Sequence, residues 1–272
     1  MCAGCHAPAT PWDRALDEVI AAERDFARLA LDSTVHHAFL ARVAHDAIIF
    51  RPGPVPAGAW LRDNPMPPEL RLEWQPAFAD VALAGDLGWT TGPWRLGQKT
   101  GTGISAAGSY VTIWRNEPDG WRYVIDFGVE TATFTPVTAV ARAPAPLPHA
   151  DSVVSEQSAR TSLQIADEDL NAAIGALGER AWDEYADSTF HWLRDGGRPR
   201  TLASSNGSAT AAPTRTWSTL AARVARSGDL GYTWGSATAK VDTTEPPHYL
   251  RIWRRQRDGS WRVVLDAATG LP

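Results

Sequence analysis

Residues 110–126 contain the stretch Tyr110-Val111-Thr112-Ile113-Trp114-Arg115, followed by Asp119-Gly120-Trp121-Arg122-Tyr123-Val124-Ile125-Asp126. The pattern returns near the end of the chain as Tyr249-Leu250-Arg251-Ile252-Trp253-Arg254, followed by Asp258-Gly259-Ser260-Trp261-Arg262-Val263-Val264-Leu265-Asp266. Each copy consists of two runs of alternating apolar and polar residues joined by an Asp-Gly turn, which predicts a β-hairpin. We interpret it as the closing hairpin of a domain that the chain contains twice.

Other residue pairs support an internal repeat. Trp74 and Trp217 lie 143 positions apart, and Gly-Asp-Leu-Gly at 85–88 returns at 228–231 with the same offset. The offset changes to 139 or 140 in the hairpin, which places the gaps in turns, where insertions are tolerated. Two copies of about 140 residues fit one domain each. We predict domains at residues 11–130 and 151–272, a Pro/Ala-rich linker at 131–150, and a tether or signal remnant at 1–10.

Each copy is predicted to begin with helices and to continue with strands. Thr10-Pro11-Trp12-Asp13 has an N-cap, a proline at the first helical position and an acid three residues after the cap, so a helix should begin at Pro11. Ser33 is expected to cap a second helix, and from Arg71 the apolar residues alternate as in long strands. The predicted elements are helices at 11–31, 33–44 and 57–64, a short strand at 47–50, and, in the second copy, a helix at 158–177, a helix around 181–185, a strand at 189–194 and long strands from 214.

The composition is that of a soluble globular protein, with 44% hydrophobic and 21% charged residues in a chain of 272. A net charge of -5 provides no basic field, so we predict no nucleic-acid partner. No apolar run reaches the roughly 18 residues of a membrane span. We also predict no cofactor.

The start of the chain is open to two interpretations. Cys2-Ala3-Gly4-Cys5-His6 has the spacing of covalent c-type haem attachment. Ala3-Gly4-Cys5 is also similar to the end of a bacterial lipoprotein signal, and we favour a signal remnant. This predicts a periplasmic or envelope-anchored protein, or a cytoplasmic one if the start is authentic. Both cysteines lie here, so no disulfide is predicted elsewhere.

The order of elements, the Y-x-x-x-W-R and D-G-x-W-R-x-x-x-D hairpin and the segment 85–92 resemble the nuclear-transport-factor-2-like superfamily, in particular its SnoaL-like and ketosteroid-isomerase-like bacterial branch. The resemblance covers both halves. It implies an α+β fold with two cone-shaped domains, in each of which N-terminal helices pack on a strongly curved antiparallel sheet and leave a pocket at the open end. The superfamily includes isomerases, cyclases and binding proteins, so function must be argued from the site.

An isomerase-type site needs a carboxylate base in an apolar cavity and a donor that stabilises an enolate. In the first half, Asp46 with His45, Asp126, and Tyr110 as the donor provide these groups, and they are our candidate catalytic residues. In the second half His45-Asp46 are replaced by Ser188-Thr189. Tyr110 and Asp126 recur there, which favours a structural role for both.

Aromatic residues and one arginine of the first half are candidates for lining a ligand pocket: Trp74, Trp89, Arg51, Phe50 and Trp60. His36-His37 with Asp32 lack a third metal ligand, so no metal site is predicted. Three functions are open. The first is binding of an apolar, polyketide-like or steroid-like ligand by the first domain; the second is an isomerase or cyclase with a carboxylate base; the third is a structural pseudo-dimer of the two halves.

Overall fold

The computed structural model describes residues 9–101, 103–131, 134–146, 155–201, 215–239 and 246–270. It contains two separate sheets, each accompanied by a long helix, so the α+β class predicted from the sequence is confirmed. The Cys-x-x-Cys-His motif, and the thiol chemistry considered for it, lie outside the described residues.

The first half, which we call the first cone, contains three helices and an eight-stranded sheet. Its elements are α1 (Pro11–Asp32), α2 (Val35–Arg42), β1 (Val43–Phe50), β2 (Pro54–Pro56), α3 (Ala57–Asp63), β3 (Leu70–Trp74), β4 (Phe78–Val81), β5 (Leu87–Gln98), β6 (Ile104–Glu117), β7 (Gly120–Glu130) and β8 (Ala141–Arg142). The strand order is β2-β1-β7-β6-β5-β4-β8, and β3 also pairs with β5.

The second half, which we call the second cone, repeats this order with fewer elements. Its elements are α4 (Glu156–Leu177), a 3-10 turn (Gly178–Ala181), α5 (Trp182–Tyr185), β9 (Ala186–Arg194), β10 (Arg200–Thr201), β11 (Arg215–Val224), β12 (Leu230–Ala239), β13 (His248–Arg255) and β14 (Trp261–Ala268). The strand order is β10-β9-β14-β13-β12-β11.

Both predicted hairpins form, as β6–β7 and β13–β14. Gly120 and Gly259 of the Asp-Gly turns have φ angles of 109° and 86°, a region that glycine adopts without strain. Each hairpin also has an irregularity in register at the corresponding place, after Ile113 in one and Ile252 in the other. The long strands are antiparallel, whereas β1 with β7, β14 with β9 and β4 with β8 pair in parallel.

Helix α1 begins at Pro11 as predicted, because Thr10 and Asp13 form the expected capping box. The cap of α2 is Thr34, not Ser33, since the Thr34 side chain accepts from the backbone of His37. The linker is not wholly an unpaired connector. Strand β8 lies within it and adds to the edge of the first sheet beside β4.

The two sheets pack against each other through apolar side chains. Leu250, Ile252 and Leu265 of the second sheet belong to the same buried cluster as the core of the first cone. Aromatic contacts also cross the boundary. The ring centroids of Phe50 and Trp234 lie 6.0 Å apart.

The two Gly-Asp-Leu-Gly turns contact each other reciprocally. The backbone N–H of Leu83 donates to Asp229, at 3.1 Å, and that of Arg226 donates to Asp86, at 3.0 Å. Leu83 and Asp86 correspond to Arg226 and Asp229 in the repeat. Each turn therefore gives the other the same hydrogen bond, as in an isologous contact with two-fold symmetry.

Candidate functional site

A fully buried carboxylate lies inside the first cone. Glu23 projects from α1 on the face that also carries Leu16, Val19 and Phe26. Its oxygens accept from the indole N–H of Trp74, at 2.5 Å, and of Trp114, at 3.0 Å, and from the hydroxyl of Thr90. Burial raises the pKa of Glu23 to about 7 although these hydrogen bonds oppose the shift, and the negative charge of Asp126 adds to it.

The second cone has a carboxylate in the corresponding place. Asp167 of α4 is fully buried and accepts from the hydroxyls of Thr219, at 2.5 Å, Thr233, at 2.9 Å, and Tyr249, at 2.6 Å. Thr233 is the counterpart of Thr90. A buried acid held by strand side chains is therefore common to both cones.

The two cones differ in what neutralises this acid. In the second cone the buried guanidinium of Arg251 donates to Asp167, at 2.8 Å, to Asp266, at 2.8 Å, and to Asn171, at 2.7 Å. Burial opposes the charge of Arg251, but the two carboxylates raise its pKa on balance. The corresponding residue of the first cone is Thr112, which has no charge. The first cone therefore holds its two acids without the cation that joins them in the second.

Asp126 and Tyr110, two of the predicted catalytic residues, belong to this polar cluster. Asp126 is half-buried. The partial loss of water around its carboxylate raises its pKa to about 6, and the positive charge of Arg51 opposes this rise. The hydroxyls of Tyr110 and Thr112 are both buried. The Thr112 hydroxyl interacts with the carboxylate of Asp126 and the Tyr110 hydroxyl with Thr90, although neither contact has the geometry of a close hydrogen bond. Burial also raises the pKa of Tyr110, so its hydroxyl stays protonated at neutral pH.

Arg51 and its counterpart Arg194 provide an internal comparison. Arg194 forms an ion pair with Asp266. Arg51 is exposed, donates to the carbonyl oxygen of Phe50 at 2.7 Å, and lies 5.8 Å from the ring of Trp60, a second predicted ligand-binding residue. Arg51 and Trp60 thus lie beside each other at the end of β1, on the side of Asp126.

His45 and Asp46, the other predicted catalytic pair, do not belong to the cluster. Both are exposed on β1, and Asp46 forms an ion pair with Arg115 at 2.7 Å. The hydrogen bonds from Arg115 lower the pKa of Asp46. Arg254, the counterpart of Arg115, instead pairs with Asp80 across the boundary between the halves. Asp46 therefore pairs with an arginine whose counterpart in the second half has a different carboxylate partner.

The remaining predicted ligand-binding residues point in different directions. The indole N–H of Trp74 donates to Glu23, and Trp74 also borders a cavity of about 250 Å³ between α1 and residues 137–140. Trp89 packs on Phe78 and on His191 of the second half, with ring centroids 5.1 and 6.3 Å apart. Phe50 likewise faces the second half. Trp89 and Phe50 therefore lie on the face of the sheet that meets the second half, since alternate side chains of a strand point to opposite faces.

Glu23 was not predicted as a site residue from the sequence, because a single acid in an amphipathic helix resembles a solvent-facing residue. A signal was nevertheless present. Glu23 lies on the apolar stripe of its helix, and Asp167 lies on the corresponding stripe 144 positions later. The described part of the chain contains no group of three His, Cys, Asp or Glu side chains that could hold a metal ion, and no helix long and apolar enough to cross a membrane.

Comparisons with solved structures find similar chains, each matched over less than half of this one. An NTF2-like protein with a cystatin-like fold from Novosphingobium aromaticivorans is 19% identical, with 42% of this chain and 80% of that chain covered and a TM-score of 0.35. An NTF2-like protein from Cytophaga hutchinsonii is 14% identical (41% and 98% covered, TM-score 0.33). The beta subunit of the benzoate 1,2-dioxygenase from Burkholderia mallei is 16% identical (46% and 93% covered, TM-score 0.33).

No protein-family model and no curated protein matches the chain. Two of these three solved structures carry the name of the superfamily that the sequence resembles. At these identities the similarity concerns the fold, and the function has to be argued from the polar cluster.

Proposed function

We propose that the first cone binds a small, largely apolar ligand with an oxygen function, of the polyketide or steroid kind, and that the second cone is the structural half. The observation that carries this proposal is the exchange of Arg251 for Thr112. Arg251 joins the acids of the second cone into a closed network. The first cone has the same acids without it, together with the buried hydroxyls of Tyr110 and Thr112.

A buried polar group whose hydrogen bond is poorly formed loses part of the interaction it had with water, up to about 1–3 kcal/mol. A ligand oxygen that met the hydroxyls of Tyr110 and Thr112 would recover part of that energy. The surrounding aromatic side chains would contact its apolar body, as in most small-molecule sites. Arg51 and Trp60, 5.8 Å apart at the end of β1, would flank the ligand beside Asp126.

Two matched variants test this proposal. Tyr110→Phe removes a hydroxyl whose contact with Thr90 lacks close hydrogen-bond geometry, so the free energy of unfolding should change little while binding of a hydroxylated or keto-bearing aromatic ligand weakens about tenfold. Tyr249→Phe removes the donor to Asp167, so the free energy of unfolding should fall by about 1–3 kcal/mol with binding unchanged. Thermal-shift screening followed by calorimetric titration measures both. A panel of apolar, steroid-like and polyketide-like compounds that stabilises nothing would contradict the proposal.

A second candidate function is an isomerase or cyclase with Asp126 as the base and Tyr110 as the donor to an enolate oxygen. The observation that favours it is the pKa of about 6 for Asp126, close to neutrality, where a general base is effective. A base acts when deprotonated, so kcat/KM should rise with pH through about 6. Asp126→Asn should abolish turnover of a substrate found by screening, and Asp46→Asn should not. Turnover that survives Asp126→Asn would exclude this mechanism.

We also propose that the two halves form an intramolecular pseudo-dimer. The reciprocal hydrogen bonds between the Gly-Asp-Leu-Gly turns and the shared apolar cluster support it. Because the pairing faces are used within the chain, light scattering should give the mass of a monomer. An obligate dimer would mean that each half pairs with another chain.

A further inference from the structure

A second cavity, unrelated to the polar cluster of the first cone, lies between the two halves and has a volume of about 680 Å³. It is formed at the ends of β1 and β7 in the first half and of β9 and β14 in the second, which are corresponding strands of the repeat. Its lining residues are Phe50, Pro52, Gly128, Glu130, Thr131, Asp195, Gly196, Pro246, His248, Thr269 and Gly270.

The two carboxylates of this lining are not repeated between the halves. Glu130 corresponds to Gly270, and Asp195 corresponds to Pro52. The corresponding strand ends of the other half therefore form without an acid at these positions. Asp195 has a partly structural role, since its two oxygens accept from the backbone N–H groups of Glu130, at 2.9 Å, and Gly270, at 2.7 Å. The side chain of Glu130 is exposed.

The charges and hydrogen bonds of the cavity favour a positively charged ligand. Among the described residues, its lining contains two carboxylates, one histidine, and neither lysine nor arginine. The backbone N–H groups of Glu130, Gly196 and Gly270, which could have bound an anion, already donate to protein oxygens. Carboxylate oxygens keep further lone pairs after accepting one hydrogen bond each.

An apolar surface lies beside the acids. Phe50 packs edge-on against His248, with ring centroids 5.8 Å apart, and both line the cavity. A ring of this kind attracts apolar groups and, through its π face, cations. The volume lies within the range of roughly 300–1,000 Å³ typical of small-molecule sites, which often occur between domains.

We propose that this cavity is a binding site for a small organic cation, an amine whose ammonium group pairs with Glu130 and Asp195 and whose apolar part lies on Phe50. The site is independent of the ligand proposed for the first cone, because the two sets of lining residues do not overlap. Binding here would hold the two halves together, since both supply contacts.

Calorimetric titration of the whole chain with three probes of one shape tests the ligand class. 2-Phenylethylamine should bind saturably, 2-phenylethanol at least tenfold more weakly, and phenylacetate not at all. Added salt should weaken binding of the amine, because charge screening acts on an ion pair near the surface. Equal binding of phenylacetate, or no binding of the amine, would overturn the proposal.

Two substitutions of exposed glutamates locate the site. Glu130→Gln should weaken binding of the amine about tenfold, whereas Glu69→Gln, away from the cavity, should not change it. Neither should alter the thermal unfolding temperature appreciably. Tyr110→Phe should leave amine binding unchanged; if it abolished binding, the amine would occupy the first cone and the inference would be wrong, while the function proposed there would stand. Amine binding that is insensitive to Glu130→Gln would also overturn the assignment.

Discussion

At the scale of single residues, one difference between the repeats changes the chemistry of the interior. Arg251 converts the buried acids of the second cone into an ion-paired network, and such a network loses several kcal/mol when one partner is removed. Thr112 supplies no positive charge in the first cone, so burial raises the pKa values of the acids there. The pKa of Glu23 is raised to about 7 and that of Asp126 to about 6. The two acids of the first cone therefore have pKa values close to neutrality.

Glu23 should make the stability of the protein depend on pH in a way that Glu23→Gln removes. Its folded-state pKa of about 7 lies above the ordinary 4.5, so the folded state binds the proton more tightly. The resulting stabilisation is complete below about pH 4.5 and is lost as the pH rises through about 7. The difference in unfolding free energy between wild type and Glu23→Gln should therefore fall by on the order of 3 kcal/mol across that window, since one pKa unit is about 1.4 kcal/mol.

Urea denaturation followed by circular dichroism at pH 4, 5.5, 7 and 8 measures this difference. Tryptophan fluorescence provides a second readout, because Trp74 and Trp114 donate to Glu23. Glu69→Gln, at an exposed position, is the control and should differ from wild type by the same amount at every pH. A difference between wild type and Glu23→Gln that stayed flat from pH 4 to 8 would show that the pKa of Glu23 does not change on folding, and the prediction would be wrong.

At the scale of elements, the local signals in the sequence predicted much of the fold. The Asp-Gly hairpins, the capped start of α1 and the turn at Gly85 depend on neighbouring residues only, and all three are present. The candidate site was harder to predict. Tyr110 and Asp126 lie in the polar cluster, but the face of the sheet to which Trp89 points depends on what packs on either side, which the alternation of residues does not specify.

Gly92 of strand β5 lies too close to a neighbouring backbone segment to carry a side chain. A Cβ atom added to Gly92 would lie 2.0 Å from the carbonyl oxygen of Gln75, which is backbone and cannot rotate away. Gly92→Ala should therefore force the strands apart and lower the free energy of unfolding by at least about 2 kcal/mol. Chemical denaturation measures the change.

Gly103 provides the control for this substitution. A Cβ there would meet no atom within 4 Å, so Gly103→Ala should be within about 0.5 kcal/mol of wild type. Gly235 of the second sheet has a similarly close carbonyl, that of Ser218 at 2.1 Å, and Gly235→Ala should behave like Gly92→Ala. If Gly92→Ala were as stable as Gly103→Ala, the close approach of residues 75 and 92 would not exist in solution.

At the scale of the whole molecule, the boundary between the halves combines an apolar core with buried charge. Asp80 of the first half is almost fully buried and pairs with Arg254 of the second. Burial raises the pKa of Asp80, while the charge of Arg254 opposes the rise. A second pair, between Arg226 and Asp86, crosses the same boundary at 3.1 Å but is far more exposed on the arginine side. The two pairs should therefore differ widely in their contribution to stability.

Arg254→Met should destabilise the whole protein, because it leaves the buried carboxylate of Asp80 without its cation. Removing one partner of a buried pair costs about 3–5 kcal/mol, whereas an exposed pair contributes about 0–1 kcal/mol, so Arg226→Met is the matched control. Since one apolar cluster spans both halves, although the second half also has a cluster of its own, both halves should lose stability together in a single calorimetric transition. Hydrogen exchange should show faster opening of both hairpins in Arg254→Met. If exchange accelerated only in the second half, or if calorimetry resolved two transitions, the halves would fold as independent domains. Their contact would then contribute little to the stability of either half.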